Sequence, residues 1–152
     1  MKRYVIVDID GTLTKVGARV ECLKSSPPDW DSFYARCGED EPVEKIADLV
    51  AELNAAYHVV LCSGRRESCR ADTERWMDKH EIPYNSILLR PDGDHRHDTD
   101  VKPELLKRAD LLPDVQLQPH QQRIQELASD PDKPMRMLMY HSLGSGKSLT
   151  SL

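Results

Sequence analysis

Two aspartates that follow a short apolar run near the start of the chain constrain the fold more than any other feature. The run Tyr4-Val5-Ile6-Val7 is typical of a buried parallel strand, and Asp8 and Asp10 lie where this strand gives way to a turn containing Gly11. In open α/β sheets, ligands bind in the crevice beyond the carboxyl ends of the strands. A lone aspartate there is usually only a turn former, but this longer pattern predicts that both carboxylates face such a crevice.

The run from Asp8 to Thr14 resembles the first motif of the haloacid dehalogenase (HAD) superfamily of phosphatases. The resemblance implies that Asp8 is the nucleophile, that Asp10 is the general acid and base, and that Gly11 and Thr12 help to bind substrate. A carboxylate can form an acyl-phosphate, while a second carboxyl protonates the leaving oxygen and then activates water. Because two carboxylates repel a phosphate dianion, we expect Mg²⁺ as cofactor, held by Asp8 and Asp10.

The composition favours one folded domain. The chain has 152 residues, of which 39 % are hydrophobic and 31 % charged, so a disordered or fibrous chain is not indicated. No apolar run is long enough to span a membrane and no signal peptide precedes the first strand, so a cytoplasmic protein without a membrane partner is expected, and a monomer is compatible with this. The net charge of −5 argues against non-specific nucleic-acid binding over the whole surface.

Metal ligands other than carboxylates are not indicated. The four cysteines lack the spacing of a metal site, so reduced thiols are expected. His95 and His97 lie on a polar loop without a second histidine pair elsewhere, so they are expected to be solvated rather than metal ligands or proton shuttles.

Residues 14–42 are expected to form a small cap beside the site, because connections of this length in a compact domain are usually functional or mobile. The segment contains Trp30, Phe33 and Tyr34. These aromatic side chains could stack on a nucleobase or anchor the cap to the domain, and anchoring is the favoured interpretation.

Helical and strand patterns alternate after the cap. Pro42 is expected to open an amphipathic helix that ends near Leu53, and His58 to Cys62 is expected to be a second buried strand. A third strand is expected from Ser86 to Leu89. This alternation predicts an α/β fold with a mostly parallel sheet and helices on both faces, the HAD-like (Rossmann-like) architecture that the resemblance implies.

Further motifs of the HAD superfamily follow in the same order. Ser63, which is followed by Gly64, occupies the position of the serine or threonine that hydrogen-bonds the phosphate in the superfamily. Lys102 occupies the position of the lysine that neutralises charge around the nucleophile. Arg65 is expected to hold phosphate oxygens, because its planar guanidinium can donate two parallel hydrogen bonds.

Three sequence patterns indicate a more specific family within the superfamily. They are Ser63-Gly64-Arg65, Thr73-x-x-Trp76 and Arg90-Pro-x-x-Asp94-x-Arg96-x-Asp98-x-x-Val101-Lys102. Over roughly residues 2–114 the combination resembles the 3′-phosphatase domain of phage-type polynucleotide kinase/phosphatases. This implies that nucleic acid with 3′-phosphate ends is the partner, and that Arg96 and Asp98 contact the substrate; the nucleic-acid substrate rests on this resemblance alone.

The pattern changes after residue 114. A fourth strand is expected to begin within Leu111 to Leu117, but the two acidic residues that complete the metal site in the superfamily do not follow it. We therefore assign the phosphatase domain to residues 1–114 and expect it to be truncated at the fourth strand. Loss of a metal carboxylate would weaken Mg²⁺ binding.

Residues 115–152 resemble the start of a superfamily 2 helicase. Gln121 lies in a segment like the adenine-reading motif, and a phosphate-binding loop is indicated by Gly144, Gly146, Lys147 and Ser148. A lone loop without its sheet is not preorganised, so we do not expect nucleotide binding from it. The tail is expected to form a short helix and an unpartnered strand at Met135 to Tyr140.

The favoured hypothesis is a Mg²⁺-dependent phosphatase that acts on 3′-phosphate ends of DNA or RNA. Two alternatives stay open at this point. One is a phosphatase for nucleotides or other small phosphoesters. The other is a catalytically inactive fragment that binds phosphate or nucleic acid, suggested by the missing fourth motif.

Overall fold

The computed structural model describes residues 3–111 and 137–139, and its main feature is a parallel sheet with helices on both faces. In addition, 3₁₀ helices span Ala18–Lys24 and Glu67–Cys69. In chain order the strands are β1 (Tyr4–Val7), β2 (Thr14–Lys15), β3 (Glu41–Pro42), β4 (His58–Arg66), β5 (Ser86–Arg90) and β6 (Met137–Met139), and the α-helices are α1 (Trp30–Ala35), α2 (Glu44–Asn54), α3 (Arg70–Lys79) and α4 (Asp98–Arg108).

The sheet has the strand order β5-β4-β1-β6, and each pair of adjacent strands is parallel. In the centre, Val7 of β1 is in register with Leu61 of β4, which is in register with Ile87 of β5. Because the strands are parallel, their carboxyl ends lie along one edge. The predicted residues Asp8 and Ser63 therefore come together there.

Alternate residues of the strands fill two cores. One face of the sheet packs against α2 and α3, and the other packs against α4, which confirms the expectation of helices on both faces. The first core includes Val5, Val7, Ile46, Val50, Val59, Leu61, Trp76 and Met77, and the second consists of Ile6, Val60, Cys62, Leu106 and Leu111.

Strand β4 is longer than expected. The sequence predicted an end at Cys62, but the strand continues through Ser63, Gly64 and Arg65 to Arg66. Its pairing with β5 becomes irregular between Ser63 and Arg66, where the register shifts. A bulge of this kind redirects side chains and is common beside active sites.

The cap-like segment leaves and rejoins the domain through a small antiparallel sheet, in which Thr14 pairs with Pro42. Pro42 therefore lies in β3. The prediction that Pro42 opens the helix is wrong. Helix α2 begins at Glu44, after Val43 has donated its backbone N–H to the carbonyl of Leu13. Proline suits this position because a strand end does not require its missing N–H.

The prediction of an unpartnered strand in the tail is wrong for residues 137–139. Strand β6 pairs with β1, with Val5 in register with Met137 and Val7 with Met139. The edge of β1 that faces away from β4 needs hydrogen-bonding partners, and a parallel strand supplies them. The remaining tail predictions concern Gln121, the loop at Gly144–Ser148 and the strand beyond Leu111, and these lie outside the described residues.

Candidate active site

A pocket of about 420 Å³ opens at the carboxyl edge of the sheet. It is lined by Asp8 and Asp10 after β1, by Ser63 and Gly64 of β4, and by Lys102 of α4, among others. The predicted catalytic residues therefore meet in one place, with the exception of Arg65. Among the described residues that line the pocket, the cationic side chains are Lys102, Arg66, Arg90 and Arg96.

Asp8 is a buried carboxylate that is held at both oxygens. The backbone N–H of Ile9 donates to Asp8 Oδ1 at 2.8 Å, and Lys102 Nζ lies 3.0 Å from Asp8 Oδ2. Burial raises the pKa of Asp8 to about 6, although the positive charge of Lys102 opposes this shift. Asp8 is thus fixed in orientation, and its burial is only partly compensated by positive charge.

Asp10 is held by two buried arginines. Arg19 Nη2 and Arg65 Nη2 each lie 2.7 Å from Asp10 Oδ1, and Arg65 Nε also donates to this oxygen at 3.0 Å. Burial alone would raise the pKa of Asp10, but Arg65 and then Arg19 outweigh that effect and lower it. Within the described part of the chain, the hydrogen bonds to this side chain all end on Oδ1. Oδ2 is therefore the oxygen that the protein leaves for proton transfer.

Arg19 connects the cap-like segment to Asp10. Besides Asp10 it contacts Asp40, with Nε 2.9 Å from Oδ1 and Nη2 2.6 Å from Oδ2, and its guanidinium lies over the ring of Phe33 at 4.1 Å from the centroid. Sequence reasoning missed Arg19 and Asp40. No motif marks them, and an arginine in a polar segment normally lies in solvent.

Arg65 contacts Asp10 and Thr73 and does not line the pocket in which phosphate was expected to bind. Its side chain is fully buried, and besides Asp10 it donates from Nη1 to Thr73 Oγ1 at 3.0 Å. The expectation was that Arg65 binds phosphate directly, but its hydrogen-bonding groups point at Asp10 and Thr73 instead. The reason is that β4 continues through this residue, so the side chain is directed into the protein and not into the pocket. Arg65 therefore acts on the site through Asp10.

Gly64 permits close packing between β4 and the start of α4. A Cβ at this position would lie 2.6 Å from Asp98 Oδ2 and 2.8 Å from its Cγ, so any larger residue would require the Asp98 carboxylate to move. The carbonyl of Gly64 accepts hydrogen bonds from Arg90 Nε at 3.0 Å and from the Tyr34 hydroxyl at 3.1 Å. Gly64 thus leaves space for the Asp98 carboxylate, and its carbonyl accepts two hydrogen bonds.

Asp98 organises the cations of the site. Its carboxylate pairs with Arg90 and lies 3.4 Å from Lys102 Nζ, one helical turn away in α4. Arg90 is buried and also donates to the carbonyls of Asp94 and Arg96, so it fixes the loop before α4. Sequence reasoning included Arg90 in a motif but gave it no function. Its contacts make it a residue that positions Asp98.

Ser63 is oriented to donate a hydrogen bond. Its side chain is fully buried and lines the pocket, and its Oγ accepts the backbone N–H of Arg65 at 3.1 Å. A hydroxyl that accepts in this way still has its own hydrogen to donate. This geometry is the one that a phosphate-binding serine requires.

The remaining predicted site residues lie at the margin or behind the site. Arg96 lines the pocket but is half exposed and pairs with Asp94 and Glu104. Gly11 forms the turn after β1 with a φ of +78°, and the hydroxyl of buried Thr12 has no hydrogen-bond partner among the described residues. Neither of these two is among the residues that line the pocket.

The two loop histidines are exposed, as expected. His95 lines the pocket. The ring of His97 accepts the backbone N–H of Thr99 and so caps α4. Neither belongs to a metal-binding cluster, since residues 3–111 and 137–139 contain no group of three or more His, Cys, Asp or Glu side chains that could hold an ion.

Comparison with known families agrees with this geometry. The family model described as the polynucleotide kinase PNKP phosphatase domain matches residues 2–111. The chain belongs to this family of HAD phosphatase domains. A comparison with curated proteins gives no match.

Solved structures contain the same fold. A chain in the structure of the Pnkp1/Rnl/Hen1 complex is 29 % identical, with a TM-score of 0.55 over 69 % of this chain and 33 % of that one. A chain from the Pnkp1/Rnl/Hen1 RNA repair complex is 28 % identical, with a TM-score of 0.60 over 70 % of this chain and 32 % of that one. This protein thus covers about a third of the length of those two chains.

A more distant similarity shows the fold alone. The haloacid dehalogenase-like hydrolase from Streptococcus pneumoniae is 18 % identical, with a TM-score of 0.52 over 74 % of this chain and 72 % of that one. Together with the family match, this confirms the predicted α/β, HAD-like architecture. No helix in the described residues combines the length and the apolar character that a membrane span requires.

The donor set fits Mg²⁺ at Asp8 better than at Asp10. Asp8 is a hard oxygen ligand whose pKa is raised by burial, so a nearby cation would stabilise its ionised form. The Asp10 carboxylate interacts with two guanidiniums at Oδ1, and the expectation that it also binds the ion stays a prediction. Mg²⁺ often uses one or two protein carboxylates and completes its shell with water and substrate phosphate.

Proposed function

We propose that the protein is a Mg²⁺-dependent phosphatase that removes the 3′-phosphate from a DNA or RNA end through an aspartyl-phosphate on Asp8. The observation that supports the reaction best is the pair of carboxylates at the end of β1. Asp8 contacts one buried lysine, while Asp10 is held by two buried arginines. The match to the PNKP phosphatase domain supports the substrate class.

In the first step, an oxygen of Asp8 attacks phosphorus and the bond between phosphorus and the 3′-oxygen breaks. The leaving oxygen takes a proton from Asp10. The arginines lower the pKa of Asp10 in the free protein, but an arriving phosphate dianion adds negative charge nearby, which raises the affinity of Asp10 for a proton. The Oδ2 atom, which the arginines leave open, is the one that transfers this proton.

In the second step, Asp10 takes a proton from water. The water oxygen attacks the phosphorus of the acyl-phosphate, inorganic phosphate leaves, and the carboxylate of Asp8 is restored. Asp10 is a carboxylate at this point because it gave its proton to the leaving oxygen in the first step, and the low pKa that Arg65 and Arg19 give it favours this form. Ser63 and Lys102 bind the phosphoryl oxygens in both steps.

Mg²⁺ bound at Asp8 would supply positive charge that offsets the repulsion between the carboxylates and the phosphate. Asp98 and Arg90 contribute indirectly, because they position Lys102 and the loop before α4. Arg96 is half exposed and lines the pocket, and in this proposal it contacts the nucleic-acid backbone.

Phosphate release from matched oligonucleotides tests the proposal. We expect the wild-type protein with Mg²⁺ to release phosphate from a 3′-phosphorylated oligonucleotide but not from the same sequence with a 5′-phosphate. EDTA and the Asp8→Asn substitution should each abolish release. Hydrolysis of small phosphoesters but not of the 3′-phosphorylated oligonucleotide would contradict the substrate, and binding without hydrolysis would indicate an inactive fragment.

A further inference from the structure

A second hollow lies next to the active-site pocket and shares three lining residues with it. It has a volume of about 470 Å³, and both hollows share Trp30, Arg66 and His95 in their linings. Volumes of this size are typical of small-ligand sites. A substrate whose phosphate lies at Asp8 would therefore extend past Trp30.

Trp30 is exposed at this position although it is large and apolar. It is 42 % exposed, the highest value among the large apolar side chains in the described part of the chain. The side chain is nevertheless held in place, because its ring stacks on Tyr34 at a centroid distance of 5.9 Å and meets Phe33 edge-on at 5.7 Å. Tyr34 is itself fixed by its hydrogen bond to the carbonyl of Gly64.

Arg66 lies on the same side of the pocket mouth. Its guanidinium lies 5.0 Å from the centroid of the Tyr34 ring, and it pairs with Asp31. Trp30, Tyr34 and Arg66 thus form a surface of flat side chains that we call the aromatic ledge. Flat aromatic and guanidinium groups of this kind bind nucleobases by stacking, with little dependence on sequence.

The charges in the second hollow indicate which part of a nucleic acid could enter it. Asp29, Asp31 and Asp92 line it, and Arg66 is the only lysine or arginine among its described lining residues. Phosphodiester groups would be repelled by these carboxylates, whereas an uncharged base would not. The backbone must therefore leave the site in another direction.

We propose that the aromatic ledge is the binding site for the terminal nucleobase of the substrate, with the indole of Trp30 stacked on that base while the 3′-phosphate lies at Asp8. The inference rests on the proposed function, and it adds a specificity determinant. Stacking requires the base to be free of its complementary strand, so the preferred substrate is an end whose last nucleotide is unpaired.

Kinetics on a pair of matched substrates tests this inference. One is a 3′-phosphorylated oligonucleotide that ends in adenosine, and the other is the same oligonucleotide ending in an abasic sugar. We expect the wild-type kcat/KM to favour the adenosine end by about tenfold or more, mainly through KM, which is the size of effect that stacking of one base produces. Trp30→Ala should reduce this ratio to near one, and Trp30→Phe should retain most of it.

Val20→Ala is the matched control. Val20 is also an exposed apolar residue of the cap-like segment, at 37 %, but it lines neither hollow. It should leave the ratio unchanged. An equal loss of kcat/KM on both substrates in Trp30→Ala would show that the side chain is only structural, and an unchanged ratio would show that the base does not stack there; both results overturn the proposal.

Fluorescence separates a failure of the ledge from a failure of the proposed function. The chain has two tryptophans, and Trp76 is buried, so quenching by ligand reports on Trp30. In Asp8→Asn, the adenosine-ended oligonucleotide should quench the emission and the abasic one should not. If the wild-type protein hydrolyses neither oligonucleotide, the proposed function fails, and selective quenching would still support the ledge. Equal or absent quenching would overturn the ledge whatever the activity.

Discussion

At the scale of single residues, the site depends on a balance of buried charges. Asp10 and Asp40 contribute two negative charges and Arg19 and Arg65 two positive ones, and all four side chains are less than a tenth exposed. Burying a charge is costly unless it is paired and hydrogen-bonded. Removing any one member would leave an uncompensated buried charge in this cluster, so the proposed function of Asp10 is coupled to the stability of the fold.

Arg19→Ala is the substitution that tests this balance. Among the described residues, it leaves Asp40 with the backbone N–H of Gly17 at 3.4 Å and with Arg65 at 3.6 Å, and it removes one of the two cations at Asp10. We expect the free energy of unfolding to fall by about 3–5 kcal/mol, the usual cost of breaking a buried ion pair. Urea denaturation measures this. Arg36→Ala, which removes an exposed arginine side chain paired with Glu39, is the control and should leave the free energy of unfolding nearly unchanged.

Asp8 should make the folded protein less stable as the pH rises, which is the opposite of what a carboxylate with a lowered pKa does. Its pKa is raised by burial to about 6, so the folded protein loses stability as pH rises from about 4 to 6 and Asp8 ionises. Asp8→Asn removes this cost and should stabilise the metal-free protein by up to about 3 kcal/mol at pH 8. The gain should vanish at pH values below about 4. Urea titrations of both proteins in EDTA between pH 4 and 8 measure it, and a pH-independent difference would contradict the assignment.

At the scale of secondary-structure elements, the site is formed where β1, β4 and α4 converge. The two strands are neighbours in the sheet, and α4 packs on the face that contains Ile6 and Val60. Helix α4 presents Asp98 and Lys102 one turn apart, so a single rigid element supplies both. The distance between β4 and the start of α4 therefore sets the geometry around the nucleophile.

Gly64→Ala should disturb this approach. The added methyl group would overlap the Asp98 carboxylate, which then has to move away from Arg90 and Lys102. We expect kcat to fall at least tenfold while the fold persists, measured as phosphate release and by circular dichroism. Gly38→Ala is the matched control because its nearest neighbour would be 3.9 Å away, so it should leave kcat unchanged. Full activity in Gly64→Ala would show that the position of Asp98 does not matter.

Elements with a strong local pattern could be predicted from the sequence. The apolar runs that became β1, β5 and the first half of β4 are buried on both faces, and such strands have a distinct sequence signature. The meeting of Asp8, Ser63 and Lys102 could be predicted from the order of the apolar runs and the helix, although Ser63 lies within β4 and not after it. The resemblance to the HAD superfamily identified these three residues, because its motifs occur in the same order along the chain.

Other parts could not be predicted, because they depend on contacts between distant segments. Arg19 and Asp40 are 21 residues apart and have no periodic pattern, so nothing local shows that both are buried. The contacts of Arg65 depend on the extension of β4 beyond Cys62 and on where Asp10 lies. Strand β6 joins the sheet through backbone pairing with β1, which apolar patterning alone does not specify.

At the scale of the whole molecule, residues 2–111 form the unit that matches the PNKP phosphatase domain. Within it, the sheet edge provides Asp8, the cap-like segment provides Arg19, and α4 provides Lys102. Asp8 and Lys102 line the pocket, and Arg19 lies behind it on Asp10, so the proposed reaction would depend on all three regions. The central claim is that this arrangement makes Asp8 the residue that receives the phosphoryl group.

Trapping the phosphorylated protein tests this claim most directly. An oligonucleotide with a radiolabelled 3′-phosphate is mixed with excess protein and Mg²⁺ and quenched in acid within milliseconds to seconds. We expect transient label on the protein that is released by hydroxylamine, as acyl-phosphates are, and that is absent from Asp8→Asn. Phosphate release from the wild-type protein without labelled protein at any time, or label that persists in Asp8→Asn, would contradict the claim.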